Sequence, residues 1–329
     1  MLGFAHSARS AHKDFADCSG CSLCLLVCPV WRRTHELALT PLGRAKALQY
    51  GAAAADIAAS VQSCTLCAAC NPVCPEDIDL VAMTLDLRRQ LNQPDAAPRL
   101  RARLIERTER PPAPPPAAAA ILLPGRALRD RPATLARASA LLGGVAVAAD
   151  DGADIALALE AGVPVPQQRM ERFLQGLRRA KKLILADGLL LRHAHQWLPR
   201  SNILSLGVAL SQVAAVRGAL RASDLYLIEA RAYHADYQRL VKYYDGLRSA
   251  VGCSFNLDLQ RIAVPAAAHS LAQRLELEPD DDSVQARWLL QGRNAARIVV
   301  EDPQDGAAIA QVSKLPVVHL AELVDDGTT

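Results

Sequence analysis

The chain has 329 residues, and its 37 basic and 34 acidic side chains leave a formal charge of only +3. That balance lacks the basic stripe with interleaved aromatics that marks nucleic-acid binding, so no nucleic-acid partner is expected. Hydrophobic residues make up 51% but aromatics only 4%, so any core is built from Ala, Leu and Val, with length enough for two or three domains.

No apolar run reaches the roughly 20 residues a bilayer requires, so no transmembrane segment is expected. Residues 1–17 carry His, Lys and Asp and no apolar signal-peptide core. A cytoplasmic chain is expected, at most held on a membrane surface through a partner. Within this lead-in, His6 and His12 read as loose surface histidines.

Two copies of one pattern follow. Cys18, Cys21, Cys24 and Cys28 precede Pro29, and Cys64, Cys67, Cys70 and Cys74 precede Pro75. Each copy reads C-x-x-C-x-x-C-x-x-x-C-P, the bacterial ferredoxin run for cubane clusters, in which the fourth Cys ligates the other cluster. The expected ligand sets are therefore Cys18, Cys21, Cys24 and Cys74 for one [4Fe–4S] cluster, and Cys64, Cys67, Cys70 and Cys28 for a second. Zinc favours two C-x-x-C pairs or Cys/His mixtures, which fits this pattern poorly. Disulfide frameworks belong to short secreted domains, and these thiolates require a reducing compartment. Apolar residues from Leu23 to Val30 run between the ligands and suit the dry lining of a cluster.

Between the motifs, residues 31–63 are helix-rich, with Pro41 and Gly43 marking a start and Ala45, Leu48, Ala52, Ala55, Ile57, Ala59 and Val61 at roughly helical spacing. After Pro75, residues 78–91 read as an amphipathic helix with Glu76 and Asp77 in its first turn and Met83 in the core. Residues 99–110 read as a charged helix with a solvated end, and residues 111–118 (PPAPPPAA) as a semi-rigid connector.

The remainder changes character. Strands are expected at 119–123, 144–149, 182–186 and 202–206, and again at 224–228, 297–300 and 316–320. Helices are expected at 167–180, 237–250, 285–296 and 307–312. Short apolar strands alternating with helices give an α/β domain with a mainly parallel sheet. Two weakly similar halves, 119–215 and 222–325, read as a pseudo-twofold duplication. The expected division is thus 1–110, 111–118, 119–215 and 222–325.

The long helical insertion between the motifs resembles the α-helical ferredoxin domain of succinate dehydrogenase and heterodisulfide reductase-type subunits. The chain as a whole resembles iron–sulfur subunits with such a domain followed by two cysteine-rich CCG domains. Those of glycolate oxidase, anaerobic glycerol-3-phosphate dehydrogenase, the lactate-utilisation proteins and heterodisulfide reductase share the layout. The resemblance implies two [4Fe–4S] clusters and a redox partner, either an FAD-containing dehydrogenase or a heterodisulfide reductase-like subunit, in a hetero-oligomer.

In that family each CCG repeat carries cysteines at strand ends. Here the matching places read Pro124-Gly125-Arg126, Asp150-Asp151-Gly152, Asp187-Gly188, Ala230 to His234 and Asp302-Pro303-Gln304. Arg, Ala and Gln cannot replace thiolate as an iron ligand. The ninth cysteine, Cys253, reads as a small buried hydrophobe. His193 and His195 read as loop-facing or capping residues, His234 with Asp236 as inherited turn structure, and residues 280–282 as a solvated acidic loop. No nucleotide-binding glycine run and no nucleophile constellation occurs.

The expected role is a non-catalytic electron-transfer subunit of an oxidoreductase complex, relaying single electrons between a flavoprotein or other redox partner and a further acceptor. Two alternatives are a heterodisulfide reductase-like catalytic subunit and an assembly or docking module whose clusters are structural.

Overall fold

The computed structural model describes residues 13–91, 96–110, 118–259, 261–279 and 281–324. His6, His12, Asp280 and residues 111–117 of the proline-rich connector lie outside these. The first described stretch is helical: Leu23–Leu26, Pro29–Thr34, Pro41–Gln49, Ala58–Ser63 and Leu80–Leu91, followed by Ala97–Glu109. Thr40 starts the helix Pro41–Gln49 by accepting from the Gly43 N–H at 3.1 Å, with proline at the first helical position where its missing N–H costs nothing. The helix expected from residue 78 begins at Leu80 instead. Asp79 accepts the Ala82 N–H at 3.0 Å, and Glu76 and Asp77 precede the first turn.

Residues 118–324 form an α/β region with two parallel four-stranded sheets. The strands are β1 (Ala120–Leu123), β2 (Ala146–Val147), β3 (Lys182–Leu185), β4 (Asn202–Ser205), β5 (Asp224–Leu227), β6 (Ser254–Phe255), β7 (Leu257–Asp258), β8 (Ile262–Ala263), β9 (Arg297–Val300) and β10 (Val317–His319). The first sheet runs β2-β1-β3-β4 and the second β10-β9-β5-β6. In both, the first strand in sequence lies between the second and third, with the fourth at the far edge. Registers are Leu122 beside Ile184, Ile184 beside Leu204, and Tyr226 beside Val299. AILL and the three residues after Arg297 in RIVV are apolar at consecutive positions, as expected of a parallel sheet covered on both faces. Leu122, Ile184, Leu204, Tyr226 and Val299 share one buried core that spans both sheets. The antiparallel pair β7–β8 is an addition to the second sheet's connections that periodicity did not foretell.

Several boundaries differ from expectation. The strand expected at 144–149 pairs only through Ala146 and Val147. The helix expected at 285–296 spans Ser283–Leu290 and stops before Gly292, whose φ of +71° favours glycine. The helix expected at 307–312 begins at Pro303 under an Asp302 cap. His193 and His195 lie within the helix Gly188–Trp197, not in a loop, and His193 stacks on Trp197 at 5.4 Å. Asp282, expected in solvent, is buried and bonds the ring Nε2 of His269 at 2.7 Å.

Candidate metal centre and the cleft beside it

The eight motif cysteines fall into two neighbouring groups. Cys18, Cys21, Cys24 and Cys74 line one small cavity, walled by Pro41, Leu42, Ile78 and Leu80. Cys21 is exposed, as are the adjacent Leu23 and Leu26. Burial, then the nearby Cys18 and Cys21, pushes the Cys24 thiol up to about 11. The Lys46 ammonium donates to the Cys18 carbonyl at 2.9 Å.

The second group lies deeper. Burial pushes Cys28 up to about 12, with Cys67 and Cys64 adding to the shift. Cys70 is pushed well above its ordinary value by burial and by Cys67, Cys64 and Cys28. Cys24 of the first group also acts on Cys70, so the two groups adjoin. Cys28, Cys67 and Cys70, crowded and buried in this way, resist ionisation, and iron binding must displace their protons.

The two loops repeat one backbone device. The residues on either side of the second cysteine take left-handed conformations: Gly20 (φ +82°) and Ser22 (+68°) around Cys21, and Leu66 (+51°) and Ala68 (+60°) around Cys67. Such turns form the N–H-lined concavities that hold anions and Fe–S groups. The N–H groups of Leu66 and Ala69 favour the thiolates of Cys64 and Cys67 respectively. Outside glycine this conformation costs about 1–2 kcal/mol per residue, so Leu66 and Ala68 hold strain that the site must offset.

Two buried cations provide the sharpest test of what the inner group is built to hold. Arg44 and Arg88 are only 1% and 0% exposed. Arg44 Nη1 donates to the carbonyls of Ser60 (2.7 Å) and Leu39 (3.2 Å), and its Nε is buried without a partner. Arg88 donates to the carbonyls of Cys64 (2.5 Å), Glu160 (2.8 Å) and Val61 (3.2 Å). Among the described residues neither guanidinium bonds a carboxylate; Arg88 feels Glu160 only at longer range, and a buried charge left without a bonded counter-charge is costly by several kcal/mol. Burial opposes ionisation at Cys64, but Arg44 and Arg88, together with hydrogen bonds from the Leu66 N–H and the Thr84 hydroxyl, carry the thiol below its usual value. A cuboidal cluster carried by four thiolates is an anion, so donor set, loops and buried cations all fit it. Among the described residues no three His, Cys, Asp or Glu side chains close on a single ion. A mononuclear zinc site needs its sulfurs about 2.3 Å from one point.

The α/β region grips the inner loop directly. Arg231 donates to the Thr65 carbonyl at 2.6 Å and pairs with Glu160 at 2.8 and 3.2 Å. His234, expected as a turn residue, sits in the helix Ala230–Ala235, and its Nδ1 donates to the Cys67 carbonyl at 2.8 Å. Burial holds His234 down at about 4, so the ring is neutral. Leu189 packs with Leu66 and Val81, Ile262 with Val27 and Cys67, and Arg32 pairs with Asp258 while stacking 3.3 Å over Trp288.

Residues 14–78 match the family model of the 4Fe-4S dicluster domain. No curated protein and no solved structure matches the chain. The dicluster domain thus accounts for the N-terminal helices, and the α/β region must be understood from its own geometry.

Beside the dicluster domain, the C-terminal ends of β1, β3, β5 and β9 converge on a cleft of about 550 Å³. This is where open parallel sheets place ligands. Its wall includes Pro124, Gly125, Asp187, Glu229 and Asp302. Here three are helix caps: Asp187 accepts from Leu190 N–H, Glu229 from Arg231 N–H and Asp302 from Gln304 N–H. Burial, then Asp302, pushes the Glu229 carboxyl up to about 8. Arg103 and Arg107, expected at a solvated helix end, line the cleft as well. Cys253 does not; it is buried in the core and burial pushes its thiol up to about 11. No helix among the described residues is long and apolar enough to cross a membrane.

Sequence reasoning found the cysteines but not the cations around them. Arg44 and Arg88 look like ordinary polar positions of short helices, and the His234–Cys67 contact joins residues 167 apart.

Proposed function

We propose that the chain is the iron–sulfur electron-transfer subunit of an oxidoreductase complex, holding two [4Fe–4S] clusters. The outer is ligated by Cys18, Cys21, Cys24 and Cys74, and the inner by Cys28, Cys64, Cys67 and Cys70. The observation that carries this reading is the crossing of the two motifs: Cys74 lines the cavity of the first motif, and Cys28 lies in the field of Cys64 and Cys67. Each bound cluster supplies a reversible one-electron change, and the protein sets its potential by burial, local charge and hydrogen bonds to sulfur.

The residues then have distinct tasks. Exposed Cys21, with Leu23 and Leu26 beside it, offers a short route for an electron from a docked redox protein, an FAD-containing dehydrogenase or a heterodisulfide reductase-like subunit. Arg231 and His234 hold the inner loop against the α/β region. The assembly is a hetero-oligomer in the reducing cytoplasm. Residues 119–215 and 222–325 are two degenerate CCG-like halves joined to residues 1–110 by the connector 111–118; the matching strand order of the two sheets supports the duplication. The catalytic alternative requires thiolates at the cleft, where the chain presents carboxylates and guanidinium groups.

The test is ligand exchange across motifs. Cys74→Ser should alter the electron paramagnetic resonance signal of the cluster held by the first motif, and Cys28→Ser that of the second. If Cys74→Ser instead perturbs the cluster shared with Cys64, or leaves both unchanged, the assignment fails.

A further inference from the structure

We propose that Arg44 and Arg88 make the inner site the electron-holding end of the pair, poised at a higher reduction potential than the outer site. The inference rests on the two-cluster reading above and concerns what the surrounding protein does to each site. Four cations act on the inner thiols, but they are not equivalent. Arg32 is paired with Asp258, and Arg231 with Glu160. Arg44 and Arg88 bond only carbonyl oxygens and the Ser60 hydroxyl, and both act on Cys64. They contribute two permanent, buried positive charges that no side chain in bonding contact neutralises.

Reduction adds one negative charge to a cluster. Buried cations stabilise that charge strongly because little water screens them. Among the described residues the outer site has no counterpart. Lys46 is its cation, partly exposed and bonded to the Cys18 carbonyl and to Gln49, and the carboxylate-bearing Glu76 lines the same cavity. Exposed Cys21 admits solvent. A cluster bound there would be the counter-ion of Arg44 and, beside the more distant Glu160 carboxylate, of Arg88. The step that follows is balanced without a proton. An external one-electron donor, such as a reduced flavodoxin-type protein or dithionite, reduces the outer site. With both clusters bound, that electron would pass inward, reoxidising the outer cluster and reducing the inner, with no bond made or broken.

The experiment uses the full chain, loaded anaerobically. Iron and acid-labile sulfide are counted first, and eight of each per chain are needed for the two-cluster reading itself. A redox titration followed by electron paramagnetic resonance then gives two midpoints. At the potential where the inner cluster is half reduced, the outer should be reduced less than one part in ten, a separation of at least 59 mV for a one-electron couple. Cys28→Ser marks which signal is the inner one. Arg44→Met should lower the inner ratio of reduced to oxidised cluster at least tenfold at fixed potential and leave the outer midpoint in place. Arg44→Lys should restore most of it, and Arg88→Met should repeat the effect. Coincident midpoints in the wild-type protein, or an inner midpoint below the outer, would overturn the proposal whether or not any variant loads. A loaded Arg44→Met with an unmoved inner midpoint would overturn it too. Four irons or fewer per chain, with Cys74→Ser harmless, would bring down the two-cluster reading and this proposal with it.

Discussion

Replacing Arg231 by Met removes the cation from a pair that joins the α/β region to the dicluster domain. Its guanidinium is 10% exposed and the partner Glu160 5%. Among the described residues the carboxylate then keeps one ion pair, with Arg274, whose Nε lies 3.6 Å away, and the more distant field of Arg88. Removing one partner of a buried pair costs about 3–5 kcal/mol, because the remaining charge is stranded. A further ~1 kcal/mol goes with the lost bond to the Thr65 carbonyl. Arg231→Met should therefore lose about 4–6 kcal/mol. Adding Glu160→Leu removes the stranded charge, and buried pairs replaced by apolar residues are often neutral, so the double variant should recover about 2–3 kcal/mol. The assay is anaerobic thermal unfolding of the loaded protein, run as a double-mutant cycle. The visible cluster absorbance should bleach faster in the single variant, since Thr65 lies between two inner ligands. If the double variant is no more stable than Arg231→Met alone, charge stranding is not the cause and the argument is wrong.

Three further outcomes follow from the same geometry. Gly162 has φ +73°, and a Cβ there would stand 2.4 Å from the backbone carbonyl carbon of Arg88. Gly162→Ala should thus cost about 2–4 kcal/mol, from left-handed strain and overpacking, and expose amides of the helix Leu80–Leu91 to hydrogen exchange. Glu229, raised to about 8 when folded, keeps a proton that the unfolded chain releases near 4.5, so its contribution to stability falls as pH rises from 4.5 to 8. Between pH 6.5 and 8 the thermal midpoint of Glu229→Gln should rise relative to wild type, by the equivalent of about 1–2 kcal/mol; parallel pH curves would refute the burial argument. His234→Ala leaves the Cys67 carbonyl without its donor and should loosen the inner site while Cys21 and its cavity keep their spectrum; equal disturbance of both signals would contradict the placement.

Much of this was legible in the sequence where the signal is local. Cysteine spacing carries its own geometry, and the apolar runs in KLIL and RIVV are too short for a helix and end at Asp187-Gly188 and Asp302-Pro303, which favours a buried strand. Helices in Ala-rich stretches such as Ala153–Ala161 escaped notice, since a helix greasy almost all round has no polar face to set the period. The cleft was invisible because it is assembled from four strand ends far apart in sequence. Arg44 and Arg88 were unremarkable for a related reason: burial of a guanidinium is decided by what packs over it. A buried Arg with only carbonyl acceptors is a sign of a missing anion that only three-dimensional placement reveals.

The most direct measurement is the iron and acid-labile sulfide content of the anaerobically prepared chain, together with the electron paramagnetic resonance spectrum of its reduced form. Eight iron and eight sulfide per chain, with two magnetically interacting [4Fe–4S] signals, is the predicted result. Four irons or fewer, with Cys74→Ser harmless, would contradict it.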